Sequence, residues 1–505
     1  MDQGAVVRNV LRFLDAQLRS EVDLAEIARI AGYSLSQFYK VFTEVTGQRP
    51  AEYIRKRRLA LACWDVALSE QRLIDIALNS GFSSQEAFTR AFRREFHITP
   101  GRFRLQHKTT SPHRRSQQRR VDVVMTSNQS FPKDRVLPGV MKVGFHLEPD
   151  RCPETIPFPS CLASALRYLG EDYPWVPIYE HNREWRLNYA NVHLLGASGM
   201  AFGLLWEGGW KSSNVDHMFI ADPHIVIAKA FEAAGYEYEL VSKTGDEADE
   251  AIWRQKIMDS ITRGVPVLAF GVIGPPMCCL ITGYGNHGEA LIGWNCFQDD
   301  PAWNQGVETV EGGYFRKGNW FGDTWILVLI GQKVADYKAV PARRILSWAL
   351  TVAEQTEVMG RQAGQKAYEA WQRQLLQDDD FIDADDATLQ RYHTAHHMQV
   401  GHLAECRAWA HYFLLHIAGN EPEMSEHLTQ AAKLYWRIHD LMWDVWAVLG
   451  GLWNSDWRLF RDGDARRKIA AIIGQAQALD KQAMEHLRQA IHQQGGRVST
   501  EGVAT

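Results

Sequence analysis

The chain has little of what a membrane or a secretory route requires. None of the apolar runs in its 505 residues reaches the roughly 20 residues of a membrane-spanning helix. The amino end lacks a basic stretch followed by an apolar one, the layout of an export signal. Cysteine is scarce: Cys63, Cys152, Cys161, Cys278, Cys279, Cys296 and Cys406 make an odd set of seven without a CxxC pair, so no disulfide framework is expected. These absences lead us to expect a cytoplasmic protein with reduced thiols and no membrane partner. What the chain does have is size: 505 residues, 46% of them hydrophobic, can bury several cores, and three domains are the natural expectation.

Near the amino end one pattern occurs twice, about fifty residues apart. The first copy reads IARIAGYSLSQFYKVF followed by TGQRP, the second IALNSGFSSQEAFTRAFRREFHITP, matching Ala28 to Ala77, Gly32 to Gly81, Ser34 to Ser83, Phe42 to Phe92 and Pro50 to Pro100. The offset changes from 49 to 50 at the start of the second helix. Such self-similarity, with apolar positions retained, points to two equivalent structural units. Ile27, Ala28 and Ala31 mark the buried stripe of a short helix, Gly32 suits the turn, and Ser34 suits the cap of a second helix. Phe38 and Phe42, four apart, seat that second helix on the core and leave its other face free. Ile76, Ala77, Gly81, Ser83, Phe88 and Phe92 repeat the arrangement. This is the layout of a helix-turn-helix whose second helix enters the major groove.

Residues 6–105 resemble the DNA-binding domain of AraC/XylS-type transcription regulators, and the segment from Ile74 to Arg104 follows that family's signature almost throughout. The resemblance implies an all-α double helix-turn-helix domain whose two recognition helices, joined by a long helix over roughly Pro50 to Leu68, enter successive major-groove segments of double-stranded DNA. Carried over residue by residue, it points to Ser36, Gln37, Tyr39 and Lys40 in the first copy and to Gln85, Glu86, Thr89 and Arg90 in the second. Charge agrees: residues 1–120 hold 21 Lys and Arg against 12 Asp and Glu, a net of +9, which leaves −14 on the other 385 residues. The run Arg55, Lys56, Arg57, Arg58 reads either as phosphate contacts or as a solvated helix face.

From Gln106 to about Arg135 the chain turns polar and basic, without the periodicity of a core, and reads as a tether. Beyond it, helices near Cys161 to Gly170 and Pro223 to Gly235 precede a strand at Val265 to Phe270, a hairpin around the turn GNHG, and strands in GGYFRK and TWILVLI. We expect an α+β domain, an antiparallel sheet with helices on one side. The segments PFPSCLASALRYLG, HLLGASGMAFGLLW and ITGYGNHGEALIGW resemble the papain-like fold of bacteriocin-leader-processing cysteine peptidases and butirosin-type acyltransferases. In those enzymes a Cys opens a helix, a His begins the first strand of the late hairpin, and an Asp or Asn orients that His. Cys161 stands at the nucleophile position and Asn295 near the orienting one, but the strand that should open with His reads Pro276-Met277-Cys278-Cys279-Leu280. A thiol is a poor substitute for imidazole as a base near neutral pH. His287 falls in the turn, and His193 offers another approach to Cys161 or a satisfied structural histidine.

The expectation is therefore a non-catalytic, degenerate peptidase-like domain that senses a small molecule or peptide. Trp206, Trp210, Asp216, Trp294 and Asn295 would supply walls and polar handles, with Cys161, His193 and Cys279 beside them; core packing is the other reading of the tryptophans. The alternative is a DNA-tethered acyltransferase or cysteine peptidase using Cys161. From about Pro341 to Gln493 the periodicity is helical and resembles the extension of some papain-like sensor or transferase domains. Tyr368 with Trp371, Trp443 with Trp446 and Trp453 with Trp457 fall at helical spacing. His393 and His397, with His396, His402 and Glu405 close by, share a helix without an HExxH pattern, so a wet face or interfacial histidines are expected and no metal or other cofactor. The layout read from the sequence is a DNA-binding domain over 1–107, a linker over 108–135, a papain-like domain over 136–335, a helical extension over 336–495 and a disordered tail over 496–505. It implies a ligand-responsive transcription regulator, monomer or homodimer, with RNA polymerase a further partner.

Overall fold

The computed structural model describes residues 10, 22–46, 49–52, 54–55, 58–59, 62, 66, 71–96, 99–109, 131–144, 150–180, 183–215, 217–242, 249–274, 277–452 and 454–493. Asp216, Cys63, Trp453 and most of the expected tether and tail lie outside them. The chain divides into two compact units: Met1–His97 with Leu195–Lys229 and Val340–Thr505, and Ile98–Leu194 with Ala230–Ala339. Residues 195–229 thus group with the carboxyl-terminal helices, interrupting the continuous 136–335 segment read from the sequence.

The first helices are α1 (Leu24–Ile30), α2 (Leu35–Thr46), α3 (Leu73–Asn79), α4 (Gln85–Phe96) and α5 (Pro100–Thr109). Asp23 caps α1, its carboxylate accepting from the N–H groups of Ala25 and Glu26 at 2.8 and 3.4 Å. Ile27, Ala28, Phe38, Val41 and Phe42 are buried, and so are Ile76, Ala77, Phe88, Ala91 and Phe92. The i,i+4 phenylalanine pairs touch, with ring centroids 5.5 Å apart for Phe38–Phe42 and 5.4 Å for Phe88–Phe92.

The second unit is built on an antiparallel sheet. Its strands are β1 (Arg135–Val136), β5 (Tyr236–Ser242), β6 (Val267–Phe270), β7 (Cys278–Gly285), β8 (Ala290–Trp294), β9 (Val307–Thr309), β10 (Phe315–Gly318) and β11 (Ile326–Lys333), with β2 (Trp175–Glu180) and β3 (Arg183–Asn188) forming a separate hairpin. They run in the order β5-β11-β6-β7-β8-β10-β9, and β1 pairs with β7. β6, β7 and β8 are buried at every residue, so both faces of the middle of the sheet are covered. The reason is in the sequence: CCLITGYG and ALIGW offer no polar alternation, the mark of a strand covered on both sides. Helices α6 (Pro157–Tyr168) and α9 (Asp249–Thr262) belong to this region, while α7 (Tyr189–Ser198) and α8 (Pro223–Ala234) each fall partly in residues 195–229 of the first unit. At the far end of the expected tether, Arg135 enters the sheet, and the Asp134 carboxylate accepts from the Asn286 N–H at 2.8 Å.

In the first unit, the carboxyl-terminal helices are α10 (Ala342–Glu354), α11 (Gly364–Leu375), α12 (Asp386–Asn420), α13 (Ser425–Val448) and α14 (Gly463–His492). A small sheet joins β4 (Leu205–Trp206) to β12 (Glu357–Val358) and β13 (Arg361–Ala363). Between α12 and α14 the Arg407 guanidinium bonds the Asp480 carboxylate at 3.0 Å and the Ala201 carbonyl at 2.8 Å, both side chains being within 2% of complete burial. Among the described residues, no helix is long and apolar enough to cross a membrane.

Candidate functional site

The two amino-terminal helix pairs are built by the same local chemistry. Gly32 and Gly81 take φ of +75° and +72° just past the ends of α1 and α3. There the N–H groups of Tyr33 and Phe82 reach back to the carbonyls of Ala28 and Ala77 at 2.9 and 3.0 Å, the six-to-one bond of a Schellman ending. A left-handed φ favours glycine, so each turn is fixed by a residue at that point.

The caps that follow differ. Ser34 Oγ accepts the Gln37 N–H at 3.3 Å while Gln37 Oε1 accepts the Ser34 N–H at 3.2 Å, a reciprocal capping box. In the second copy the cap is Ser84, whose Oγ accepts the Ala87 N–H at 3.1 Å. Ser83, matched to Ser34 in the sequence, is instead the extra residue in the turn, and the offset of 50 already holds at the cap. The buried phenylalanines then orient the helices: Ser36, Gln37 and Lys40 are exposed on α2, and Glu86 and Arg90 on α4, with Tyr39, Gln85 and Thr89 half-buried beside them. All eight predicted DNA contacts therefore lie on the outward side of α2 or α4 or at its edge. Gln37 is partly committed to its cap. The Glu86 carboxyl is held below its ordinary range by hydrogen bonding to its own backbone N–H and to Ser84, with Arg90 adding a smaller pull.

One functional residue in the basic run escaped sequence reasoning. Arg58 donates from Nη1 to the Gly81 carbonyl at 3.0 Å and ties the intervening helical stretch to the second turn. Arg55 stands 3.9 Å from Glu52 on its own helix. The pattern RKRR carries no signal that separates a tie from a phosphate contact.

In the sheet unit, Cys161 lies one turn inside α6, which begins at Pro157, so it does not open the helix as the peptidase resemblance implies. Phe158, Pro159 and Ser160 precede it in the first turn, and the thiol is fully buried 3.6 Å from the Cys278 carbonyl. Burial, with Cys278 and Glu154 adding to it, pushes the Cys161 thiol well above its ordinary value. Glu154 is itself enclosed, paired with Arg151 at 3.1 Å and accepting the Ser160 hydroxyl at 2.7 Å. Cys279 occupies the neighbouring strand position, where Asn295 Nδ2 donates to its Sγ at 2.9 Å, and burial pushes this thiol up to about 12. Asn295 therefore does orient a side chain of β7, but that side chain is a thiol.

His193 packs among the rings of Tyr173, Tyr189 and Tyr337, and its Nε2 donates to the Ala233 carbonyl at 3.2 Å. Burial lowers its pKa to about 4. His287 is exposed in the β7–β8 turn, with its N–H on the Lys133 carbonyl at 2.7 Å. Trp294 is buried, its indole N–H on the Val140 carbonyl at 3.2 Å and its ring 4.3 Å from Tyr314. An open cleft of about 370 Å³ lies elsewhere on this unit, lined by Gly271, Val272, Gly274, Trp303, Lys317 and Asp323 among others. Sequence reasoning placed none of these residues in a site, because they come from separate loops and strands.

Trp206 and Trp210 belong to the other unit. They are 1% and 2% exposed, Trp206 stacked on Trp371 at 5.3 Å and Trp210 enclosed by Phe381, Tyr392 and Phe460. Within that unit they make a core aromatic cluster. Of the α12 histidines, expected on a wet face or at an interface, two are turned inward. His396 accepts from the Trp371 indole at 3.2 Å and is 1% exposed, and His402 is buried, because Ala395, Gln399, Val400 and Leu403 place that side of the helix inward. His393 is half-buried and bonds Ser455 at 2.7 Å.

The chain matches a family model described as a helix-turn-helix domain over residues 27–106. Transcriptional regulator Rob of Salmonella typhimurium strain LT2 is 38% identical over 104 residues, 21% of this chain and 36% of that protein. Regulatory protein SoxS of the same strain is 35% identical over 104 residues, which span 97% of it. A solved AraC-type DNA-binding domain protein from Chromobacterium violaceum is 26% identical, covering 20% of this chain and 91% of that one with a TM-score of 0.20. The chain thus spans about a third of the Rob relative and nearly all of the SoxS one. Through these amino-terminal residues, the chain belongs to the AraC-type helix-turn-helix family.

Proposed function

We propose that this protein is a one-component transcription regulator that binds double-stranded DNA through the outward faces of α2 and α4. The observation that carries the reading is the double occurrence of one turn, cap and buried face, which presents Ser36 and Lys40 in one copy and Glu86 and Arg90 in the other. The names of the relatives, a transcriptional regulator and a regulatory protein, support it. Selection of DNA sites from a random pool, followed by titration of Lys40→Ala and Arg90→Ala, tests it. A base-reading side chain should cost about 1–3 kcal/mol and relax preference at one position, whereas a phosphate contact should weaken all sequences alike. Wild-type affinity of both variants on every sequence would overturn this docking face.

The sheet unit is proposed as the sensor, without catalysis of its own. Its open cleft falls within the volumes of about 300–1,000 Å³ that hold small ligands, and Lys317 and Asp323 there, 3.2 Å apart, supply polar handles. A transferase or peptidase acting through Cys161 would need a thiolate, yet burial holds that thiol protonated. A small molecule or peptide that favours one arrangement of the chain would shift DNA affinity by its preference for that arrangement. Unchanged affinity for the selected DNA, in the presence of a compound that raises the protein's melting temperature, would sink this coupling.

A further inference from the structure

His217 sits in the short turn His217–Phe219, and His402 and Cys406 stand four apart on α12. Their ligand atoms all lie within 4.8 Å of one another. The two imidazoles are in contact, ring centroids 4.2 Å apart. His402 Nδ1 is 3.6 Å from Cys406 Sγ. Two ligands of one tetrahedral zinc, at about 2.05 Å for nitrogen and 2.3 Å for sulfur, stand about 3.6 Å apart, so the helix already holds this pair at the span of a shared ion.

A second observation points the same way. His217 Nδ1 is shut off from solvent without a hydrogen-bond partner, a state that folded proteins rarely leave unfilled. His217 is the half-buried member of the group, and His402 and Cys406 are enclosed. The nearest cation along the helix, Arg407, is neutralised by Asp480.

We propose that His217, His402 and Cys406 form a zinc site. The donor set of two imidazoles and one thiolate suits zinc, and three protein ligands leave a fourth tetrahedral position for water or an outside ligand. On binding, Zn(II) replaces the proton of the Cys406 thiol, which leaves to solvent, and no redox change occurs. The ion would fasten the 212–219 segment to the middle of α12.

The test uses the full-length protein. After dialysis against a weak chelator, elemental analysis should find one zinc per chain, and Co(II) in its place should give tetrahedral d–d bands with a thiolate charge-transfer band. Cys406→Ser should abolish the charge-transfer band, and His217→Ala should abolish stoichiometric retention. His393→Ala, on the same helix, should leave both intact. Zinc should also shield Cys406 of the unaltered protein from alkylation under partial denaturation, a readout that needs no variant to fold. Lack of retained zinc in the wild type, or a cobalt spectrum without the thiolate band, would overturn the proposal.

Discussion

Adding one methyl group at either of the two turn glycines separates backbone strain from a side-chain tie. Gly32→Ala and Gly81→Ala impose nearly the same left-handed φ, +75° and +72°, on a residue with a Cβ. That conformation costs an L-residue roughly 1–2 kcal/mol at either site. The surroundings differ. A Cβ at Gly32 meets nothing within 4 Å, whereas one at Gly81 falls 2.7 Å from Arg58 Cζ. The guanidinium is the far end of a flexible side chain, so it swings aside rather than shifting the backbone, and its 3.0 Å bond to the Gly81 carbonyl is lost. A part-buried bond of this kind contributes roughly 0.5–1.5 kcal/mol, so Gly81→Ala should cost about 1 kcal/mol more than Gly32→Ala, near fivefold in local opening. Hydrogen exchange of the α1–α2 and α3–α4 amides in the whole chain reads the two openings separately. In an Arg58→Ala background the excess at Gly81 should vanish, closing a thermodynamic cycle. Equal costs for the two glycine changes, or an excess that survives removal of Arg58, would refute the assignment of Arg58 as a tie.

Two further outcomes follow from buried charge and buried histidine. Arg407→Ala should destabilise the carboxyl-terminal helices by about 3–5 kcal/mol, since it strands Asp480 at 2% exposure, while the paired change Arg407→Met with Asp480→Leu should recover the part due to the stranded carboxylate, but not the lost bond to the Ala201 carbonyl, in chemical denaturation. His193 binds its proton far less readily folded than unfolded, its pKa falling from 6.5 to about 4 through burial, against the smaller opposing pulls of the Ala233 carbonyl and Asp336. The neutral ring is favoured in the fold, so its stabilisation is complete above pH 6.5, declines as the pH falls toward 4, and amounts to about 3 kcal/mol at most. His193→Gln should flatten that part of the stability profile, and an unchanged acid slope would show that the histidine is not enclosed among Tyr173, Tyr189 and Tyr337 as described.

Legibility in the sequence followed how local the controlling interaction is. The helix-turn-helix units were readable because their determinants sit within a few residues of one another: a glycine for the left-handed turn, a serine for the cap, and two phenylalanines four apart for the buried face. Even there the cap moved from Ser83 to Ser84, since one inserted residue in a turn can be aligned on either side of it. The hairpin and the strands around it were equally visible, because an apolar run bounded by Asn-His-Gly has few other uses. What could not be read was anything assembled across the chain. Trp206 and Trp294 looked alike, each either an aromatic wall or core, but one stacks on Trp371 and the other lies tilted against Tyr314, partners more than a hundred residues apart in one case and twenty in the other. The histidines of α12 read as a wet face or as interfacial, because their spacing alone does not reveal which side of a long helix is covered; His396 and His402 fall on the buried side, and His393 and His397 are half-buried. Likewise the zinc ligands include His402, visible among those histidines, but its partner His217 lies in a turn nearly two hundred residues earlier, with no spacing rule to connect them. Spacing arguments find metal sites whose ligands share an element, as His402 and Cys406 do; the ligand from a distant turn is what converts such a pair into a site, and only the fold supplies it.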